Sequence, residues 1–223
     1  MDNDIREMLS AENVDIVRFV DISTLPANQT HGFLSAILIC MALSKSFLSA
    51  VRNGEYIEHD EFLEKEHTTD KLADWLAEYV RGKGYRAYSQ SESSIYKDGN
   101  YDEKTKTSRL PHKTIARLAG LGYIGKNNLL MTEEYGCGFS ICTVLTDAPI
   151  TTEKFPLVSS KCGDCEICKS ICPTQAIYGV EWSENCSRDA IVDVFRCTCK
   201  LKCVVNCPHT LNYALYSQSP SSF

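Results

Sequence analysis

The sequence lacks the features that mark membrane and nucleic-acid-binding proteins. No apolar run reaches the roughly 18 residues that a membrane helix needs. Lysine and arginine number 23 against 29 aspartates and glutamates, a formal net charge of -6, so the basic footprint of a nucleic-acid-binding protein is absent. The first residues, "MDNDIREMLSAENVD", are acidic and amphipathic, unlike a signal peptide. We therefore expect a cytoplasmic protein with no membrane partner.

Cysteine is abundant, with 12 residues in 223. A chain without an export signal keeps its thiols reduced. Most of these cysteines lie at short spacings between Cys162 and Cys207, where neighbouring thiols can face one shared centre more readily than they can pair. Metal or cluster ligation is therefore favoured over disulfides.

The stretch "CGDCEICKSICPTQAI" begins at Cys162 and has the spacing Cys-x2-Cys-x2-Cys-x3-Cys-Pro. This is the cysteine run of bacterial ferredoxins, in which three thiolates hold one [4Fe–4S] cluster and the fourth holds another. Zinc is the alternative, but structural zinc sites usually use two separated Cys-x2-Cys pairs. The spacing predicts iron–sulfur clusters.

A second run, "CTCKLKCVVNCP", ends with the same Cys-Pro pair. By this symmetry Cys207 returns to complete the first cluster, and Cys197 competes with Cys199 for a place on the second. The predicted ligands are Cys162, Cys165, Cys168 and Cys207 for cluster 1, and Cys172, Cys186, Cys199 (or Cys197) and Cys203 for cluster 2. Packing is the expected role of the cysteines at 40, 137 and 142.

Helix and strand patterns alternate before the cysteine-rich region and indicate an α/β domain. We expect strands near residues 14–22, 35–43 and 85–89, a helix capped near Thr68–Asp70 that Gly82 and Gly84 can end, and a helix over 111–120. Residues 90–109 are polar and predict a long loop. The composition changes near residue 155, so the predicted domains are 1–155 and 156–223.

The segment "AGLGYIGKNNLLMTEEYG", joined to the cysteine run downstream, resembles the epoxyqueuosine reductase family over roughly residues 109–210. The resemblance implies an α/β (α+β) nitroreductase-like, corrinoid-binding core, akin to reductive dehalogenases, followed by a ferredoxin-like module with two [4Fe–4S] clusters. It further implies base-off cobalamin, reduced through the clusters. The corrinoid pocket would be lined by Gly120, Gly122, Tyr123, Ile124, Gly125, Lys126 and Asn127, whose glycines would admit the macrocycle and whose lysine would meet a propionamide or phosphate.

The chain departs from this family at the general acid. Lys106 falls where the family has an aspartate. The candidate replacements are Asp102 or Glu103 with a shifted loop, Tyr101, and His112. The chain is also much shorter than full reductases, and its acidity argues against tRNA as a partner.

Three functions compete. The first is a corrinoid-dependent reductase of a small-molecule substrate, supplied with electrons by a reduced ferredoxin or flavodoxin-type donor. The second is an electron-transfer protein that serves a partner redox or corrinoid protein and has no chemistry of its own. The third is a flavin enzyme, for which the sequence shows no flavin phosphate anchor.

Overall fold

The structure is a computed structural model that describes residues 1–216. Residues 217–223, the end of the predicted second domain, lie outside the described residues. The α-helices are α1 (Asp2–Ala11), α2 (Ala27–Thr30), α3 (Lys45–Asn53), α4 (Glu61–Gly82), α5 (Glu92–Lys97), α6 (His112–Leu118), α7 (Ile167–Ile171), α8 (Lys202–Val205) and α9 (Pro208–Leu211). The strands are β1 (Ile16–Asp21), β2 (Ser35–Ala42), β3 (Ala87–Ser89), β4 (Tyr101–Asp102), β5 (Thr107–Ser108), β6 (Gly122–Ile124), β7 (Leu130–Thr132) and β8 (Phe139–Thr146). A 3₁₀ turn covers Arg188–Ala190, and a π-helical turn covers Asn212–Tyr216.

The chain divides into two compact units, each built from three segments. Unit 1 contains Met1–Ala42, Phe62–Gly120 and Phe139–Pro156; unit 2 contains Leu43–Glu61, Leu121–Gly138 and Leu157–Phe223. The sequence predicts a single boundary near residue 155, whereas in the structure segments of the two units alternate along the chain. The glycine-rich motif from Leu121 onward therefore shares a unit with the cysteine-rich segment.

Unit 1 is built on a four-stranded sheet with the order β1-β2-β8-β3. Every neighbouring pair is antiparallel, so the mixed α/β architecture is of the α+β kind. In β2, every residue after Ser35 is buried. The prediction that this apolar run forms a buried strand is confirmed.

Helices cover the sheet of unit 1. Buried residues of α1 and α4 join one face of the sheet in a single apolar core, which includes Leu9, Phe19, Ile39, Leu76 and Val144. Helix α6 packs against β1, β2 and β8. Side chains alternate across a strand, so β2 can serve both faces, which explains its continuous apolar sequence.

Two sequence-based boundaries in unit 1 are wrong. Helix α4 begins at Glu61 rather than near Thr68, and Thr69 lies inside it with its hydroxyl donating to the carbonyl of Lys65 at 3.0 Å. The predicted loop over residues 90–109 contains α5 and the short β4–β5 hairpin. None of the helices within residues 1–216 combines the length and apolar character required to span a bilayer.

Unit 2 consists of short elements. It contains the β6–β7 hairpin, helix α3, and α7 through α9, with α3 packed against α8. Its cysteine-rich part has a small apolar cluster of Ala176, Ile177 and Val192. This cluster is much smaller than the core of unit 1.

Candidate metal centre

Four cysteines from two distant runs line one cavity of about 170 Å³ in unit 2: Cys162, Cys165, Cys168 and Cys207. The first two lie on a tight turn, in which the amide of Cys165 donates to the carbonyl of Cys162 at 3.0 Å. Gly163 occupies this turn at a φ of +48°, a value that favours glycine. Cys168 is in α7, and Cys207 immediately precedes Pro208 at the first turn of α9. The chain therefore brings together the four thiols of predicted cluster 1.

Lys126 closes one side of this cavity. Its side chain is buried, and its ammonium donates to the carbonyls of Gly163 at 2.6 Å and Cys165 at 3.3 Å. A buried cation needs such acceptors. Lys126 thus holds the turn that presents two of the cysteines, and its predicted contact with a corrinoid stays a prediction.

Tyr123 and His209 form a polar pair in the same unit. The Tyr123 hydroxyl and the Nε2 of His209 are 3.1 Å apart. Burial, followed by the negative charge of Cys162 and Cys207, raises the pKa of Tyr123 far above its ordinary value. The phenol therefore remains a protonated hydrogen-bond group beside the cysteines.

The cysteines predicted for cluster 2 are not among the residues that line this cavity. Cys172 and Cys203 pack, together with Cys168, against Ala176, Ile177 and Val192. Burial, and then the charges of Cys197, Cys168 and Cys172, raise the pKa of Cys203 to about 12. For Cys172, burial is outweighed by donors from Thr174, Ala176 and Ile177, and its pKa is lowered.

The choice between Cys197 and Cys199 stays open. Both are exposed, and their sulfurs are 4.0 Å apart. Cys199 has a left-handed backbone, with a φ of +48°. The charge of Cys197 helps to raise the pKa of Cys203. Cys186 is partly buried, with its sulfur 3.5 Å from the carbonyl oxygen of Ser187.

Within residues 1–216, no disulfide joins any of the cysteines. Among residues 1–216, no three His, Cys, Asp or Glu side chains are grouped closely enough to hold a single metal ion. The thiolates of a [4Fe–4S] cluster surround four irons rather than one ion. A cluster therefore needs a cavity lined by four thiols rather than a site for one ion, and the cavity of Cys162, Cys165, Cys168 and Cys207 has this lining.

The glycines of the predicted corrinoid motif are explained by packing within the chain. A Cβ added to Gly120, which has a φ of +64°, would lie 2.3 Å from the Cβ of Phe155. At Gly122 the added atom would lie 1.8 Å from the carbonyl oxygen of Met131. Residues 122–127 are buried throughout, including Ile124 and Gly125. The motif fits this fold without a ligand, and its corrinoid role stays a prediction.

The candidate proton donors lie in unit 1, and two of them are poorly suited to donate. Asp102 is exposed, and its carboxylate accepts from the amide of Lys104 at 2.8 Å. That bond, then the Thr105 hydroxyl, lowers the pKa of Asp102, so the group is ionised at neutral pH. Burial lowers the pKa of His112 to about 4. Its Nδ1 is 2.9 Å from the Thr143 hydroxyl.

The remaining candidates occupy the β4–β5 hairpin. Tyr101 is partly buried and its ring lies 4.8 Å from that of Tyr96. Lys106, at the family's acid position, has a φ of +51°, and Glu103 is exposed. The hairpin belongs to unit 1, whereas the cysteines from Cys162 to Cys207 belong to unit 2.

Sequence reasoning missed Cys137 and Thr210. Both are buried in unit 2, and the amide of Cys137 donates to the Thr210 hydroxyl at 3.1 Å. The neighbouring Cys137 thiol is the largest influence on Cys207, whose pKa is lowered to about 6. Cys137 and Thr210 are 73 positions apart, so no local spacing could have indicated their contact.

No family model matches the chain. Curated proteins named epoxyqueuosine reductase do match. One from Lactococcus garvieae (strain Lg2) is 33% identical over 107 residues, covering 47% of this chain and 30% of that protein. One from Pseudomonas aeruginosa (strain PAO1) is 40% identical over 67 residues, covering 30% of this chain and 18% of that protein. The matched regions thus span less than a third of these relatives.

Solved structures share the fold over more of the chain. Epoxyqueuosine reductase from Bacillus subtilis has a TM-score of 0.57 at 15% identity, covering 93% of this chain and 64% of that one. A catabolic reductive dehalogenase has a TM-score of 0.61 at 17% identity, covering 78% of this chain and 25% of that one. At these identities the likeness concerns fold alone.

A further neighbour bears on the expected partners. It is an epoxyqueuosine reductase in complex with an epoxyqueuosine-modified tRNA stem loop, with a TM-score of 0.50 at 17% identity, covering 78% of this chain and 52% of that one. The expectation that tRNA is not a partner therefore has no support from the fold. The chain is thus similar in sequence, over about half of its length, to proteins named epoxyqueuosine reductase, and it shares its fold with solved epoxyqueuosine reductases and a reductive dehalogenase.

Proposed function

We propose that the chain is an iron–sulfur reductase of the epoxyqueuosine reductase type, with two [4Fe–4S] clusters in unit 2. The observation that carries this proposal is the convergence of Cys162, Cys165, Cys168 and Cys207 on one cavity. Three of these thiols come from one run, and the fourth comes from the Cys-Pro pair of the other, as in two-cluster ferredoxins. The four residues fit the first cluster.

The second cluster would be held by Cys172, Cys186 and Cys203, with either Cys197 or Cys199. Cys172 already accepts hydrogen bonds that favour its thiolate, the form that binds iron. Ala176, Ile177 and Val192 shield Cys172 and Cys203 from water on one side. When bound, the clusters would supply one-electron transfer, and a corrinoid would supply the two-electron reduction of the substrate.

Electron balance requires a donor. A reduced ferredoxin or flavodoxin-type protein would deliver two electrons in single steps, and the substrate would gain these electrons with two protons. The clusters of unit 2 would pass the electrons to the corrinoid. Lys126 would keep the Cys162–Cys165 turn in place. Unit 1 would hold the substrate, and Tyr101 and Glu103 would be candidate proton donors.

The cofactor content tests this proposal directly. Protein purified without oxygen should contain about eight irons and eight sulfides per chain, as two cubanes require. Cys207→Ser should lower the iron content towards half, whereas Cys142→Ser, a buried thiol of the sheet, should leave it unchanged. Zinc in place of iron would refute the proposal.

Addition of cobalamin tests the corrinoid part separately. Binding should shift the absorption spectrum of cobalamin to the base-off form, and reduction by dithionite should then support turnover. An epoxyqueuosine-modified tRNA stem loop is the first substrate to assay, because a structural neighbour binds one. A spectrum identical to that of free cobalamin would remove the corrinoid from the proposal.

A second function, electron transfer to a partner protein, is favoured by one observation. Neither Asp102 nor His112 is an acid at neutral pH, so the chain lacks an evident general acid at these positions. Clusters without cobalamin binding, combined with reduction of a partner redox protein, would select this function over the reductase.

A further inference from the structure

The second cysteine run lies in a stretch of unit 2 that carries only positive charge. Residues 194–216 contain Arg196, Lys200 and Lys202 and no aspartate or glutamate. The whole chain, in contrast, has a formal net charge of -6. A negatively charged partner is therefore attracted to this stretch and repelled by the excess of carboxylates elsewhere in the chain.

Two of these three basic side chains are presented to solvent. Every residue from Phe195 to Lys200 is exposed, whereas Lys202 is partly buried. Within residues 1–216, neither Arg196 nor Lys200 forms an ion pair. Asp193, the nearest preceding acidic residue, uses its carboxylate to accept from the amides of Phe195 and Arg196 at 3.0 Å and 3.2 Å. Arg196 and Lys200 are thus the charges that an incoming partner can bind.

The same surface offers an aromatic side chain. Phe195 is 62% exposed and directly precedes Arg196 in the sequence. Phenylalanine and arginine are both enriched in protein–protein interfaces. An RNA partner usually requires on the order of six to ten phosphate contacts, which three cations do not supply. The composition of this surface therefore favours an acidic protein over a nucleic acid.

The surface also contains the cysteines that compete for a place on cluster 2. Cys197 and Cys199 are both exposed, whereas Cys207 of the cluster 1 set is buried at 9% exposure. Electron transfer between proteins requires the two redox centres to approach closely. A cluster held by Cys197 or Cys199 would lie at the surface, where a partner can reach it.

From these observations we propose that Phe195, Arg196 and Lys200 form a docking surface for a small acidic redox protein that reduces cluster 2. The inference rests on the proposed function, since it requires a cluster held by Cys197 or Cys199. In each encounter the partner is oxidised by one electron and the cluster is reduced by one electron. With a flavodoxin as the partner, the anionic hydroquinone becomes the neutral semiquinone, and no proton is transferred.

Stopped-flow mixing with fully reduced flavodoxin, an acidic one-electron donor, tests this surface. The second-order rate constant for oxidation of the hydroquinone is measured at low and at high ionic strength. The test variants are Arg196→Gln/Lys200→Gln and the charge-reversed Arg196→Glu/Lys200→Glu. Lys71→Glu/Lys97→Glu is the matched control, because it changes the net charge equally at two exposed lysines of unit 1. Iron content and photoreduction by 5-deazaflavin, a small molecule that needs no docking surface, are measured on every sample.

The wild-type rate constant should fall as salt screens the attraction. Charge reversal at Arg196 and Lys200 should lower the rate constant at low ionic strength by about ten-fold or more and remove most of its salt dependence. The glutamine pair should give a smaller loss, and the control pair should lose far less than the charge-reversed pair. Iron content and photoreduction should be unchanged throughout. Equal rate constants for the wild type and the charge-reversed pair, or an equal loss in the control pair, would overturn the inference. Wild-type protein without iron would instead overturn the proposed function.

A second measurement does not depend on the reduction potentials of the clusters. A zero-length carbodiimide joins an ammonium group to a carboxylate that it contacts, and mass spectrometry then locates the joined peptides. In a mixture of the holoprotein with oxidised flavodoxin, Lys200 should be the principal lysine that is joined. Cross-links spread evenly over Lys71, Lys97 and Lys200 would refute the docking surface.

A binding titration with an epoxyqueuosine-modified tRNA stem loop tests RNA as the competing partner. We expect the charge-reversed pair and the control pair to bind the stem loop with the same affinity. If Arg196→Glu/Lys200→Glu alone loses the stem loop and reacts with flavodoxin at the wild-type rate, the surface binds RNA and the inference is wrong.

Discussion

At the residue scale, polar side chains line the cysteine cavity together with the four cysteines. Lys126 binds two carbonyls of the turn between Cys162 and Cys165. Asn127 donates to the sulfur of Cys137, and both residues are buried. The family resemblance implies that Lys126 and Asn127 line a corrinoid pocket, whereas in the structure they donate to the Cys162–Cys165 turn and to the sulfur of Cys137, respectively.

Lys126→Met should weaken cluster binding. The change removes a buried donor from two carbonyls, and charged hydrogen bonds of this kind contribute about 1.5–3 kcal/mol each. We expect lower iron content and several-fold faster bleaching of the visible cluster band in air. Lys161→Met is the matched control, because Lys161 also lines the cavity, but its side chain is half exposed and its ammonium lies 3.8 Å from the carboxylate of Glu133. Equal bleaching of both variants would contradict the role of Lys126.

His112 should make stability depend on pH. Its pKa is about 4 in the folded chain against an ordinary value of 6.5, so below pH 6.5 the unfolded chain binds a proton that the folded chain does not. Stability is therefore lost as pH falls from 6.5 towards 4, by about 2 kcal/mol at pH 5. The fall in Tm between pH 7 and pH 5 should be smaller for His112→Asn than for the wild type. His59→Asn, at an exposed histidine, should follow the wild type.

At the element scale, boundaries depended on contacts that local patterns do not contain. The stripe of Leu72, Leu76 and Val80 predicts the second half of α4, and all three are buried. The first half was missed because Thr68–Asp70 has the composition of a cap. Thr69 instead bonds back to Lys65 within the helix, an alternative that threonine always has. Trp75, assigned to the same stripe by spacing, is 41% exposed.

The turn before β8 provides a test of element packing. Gly136→Ala should destabilise unit 2, since its Cβ would lie 2.3 Å from the backbone of α9. Gly54→Ala is the control: its φ is +72°, but nothing lies within 4 Å of the added atom. Both pay for a left-handed alanine, about 1–2 kcal/mol, and overpacking should add about 1–3 kcal/mol for Gly136→Ala alone. Denaturant unfolding measures the free energy of unfolding of each variant. An equal loss in both variants would show that the close contact of Gly136 with α9 adds no further cost.

At the scale of the whole molecule, the two units rest on different sources of stability. Unit 1 has a continuous core drawn from two helices and the sheet. The cysteine-rich part of unit 2 has three buried residues in its apolar cluster, so cluster ligation would supply much of its folding free energy, as metals do for small domains.

Removal of the clusters should therefore loosen the units unequally. After oxidation and chelation, hydrogen exchange should accelerate strongly at amides of unit 2 such as Ile177, Tyr178 and Val204. Amides of β2 in unit 1 should keep their protection, because the sheet core does not depend on the cysteines. Mass spectrometry of peptides from both units measures this, and uniform acceleration would contradict it.

The sequence alone indicated the buried strand β2, the mixed α/β class and the cysteines, because apolar periodicity and short cysteine spacings are local properties of the chain. It also indicated the relationship to epoxyqueuosine reductases through contiguous motifs. Tertiary structure decided what those motifs touch. Residues 121–138 join the cysteine-rich segment, Lys126 meets the Cys162–Cys165 turn, and Cys137 meets Thr210 across 73 positions. Contacts between residues so far apart depend on how the whole chain packs, and no local spacing records them.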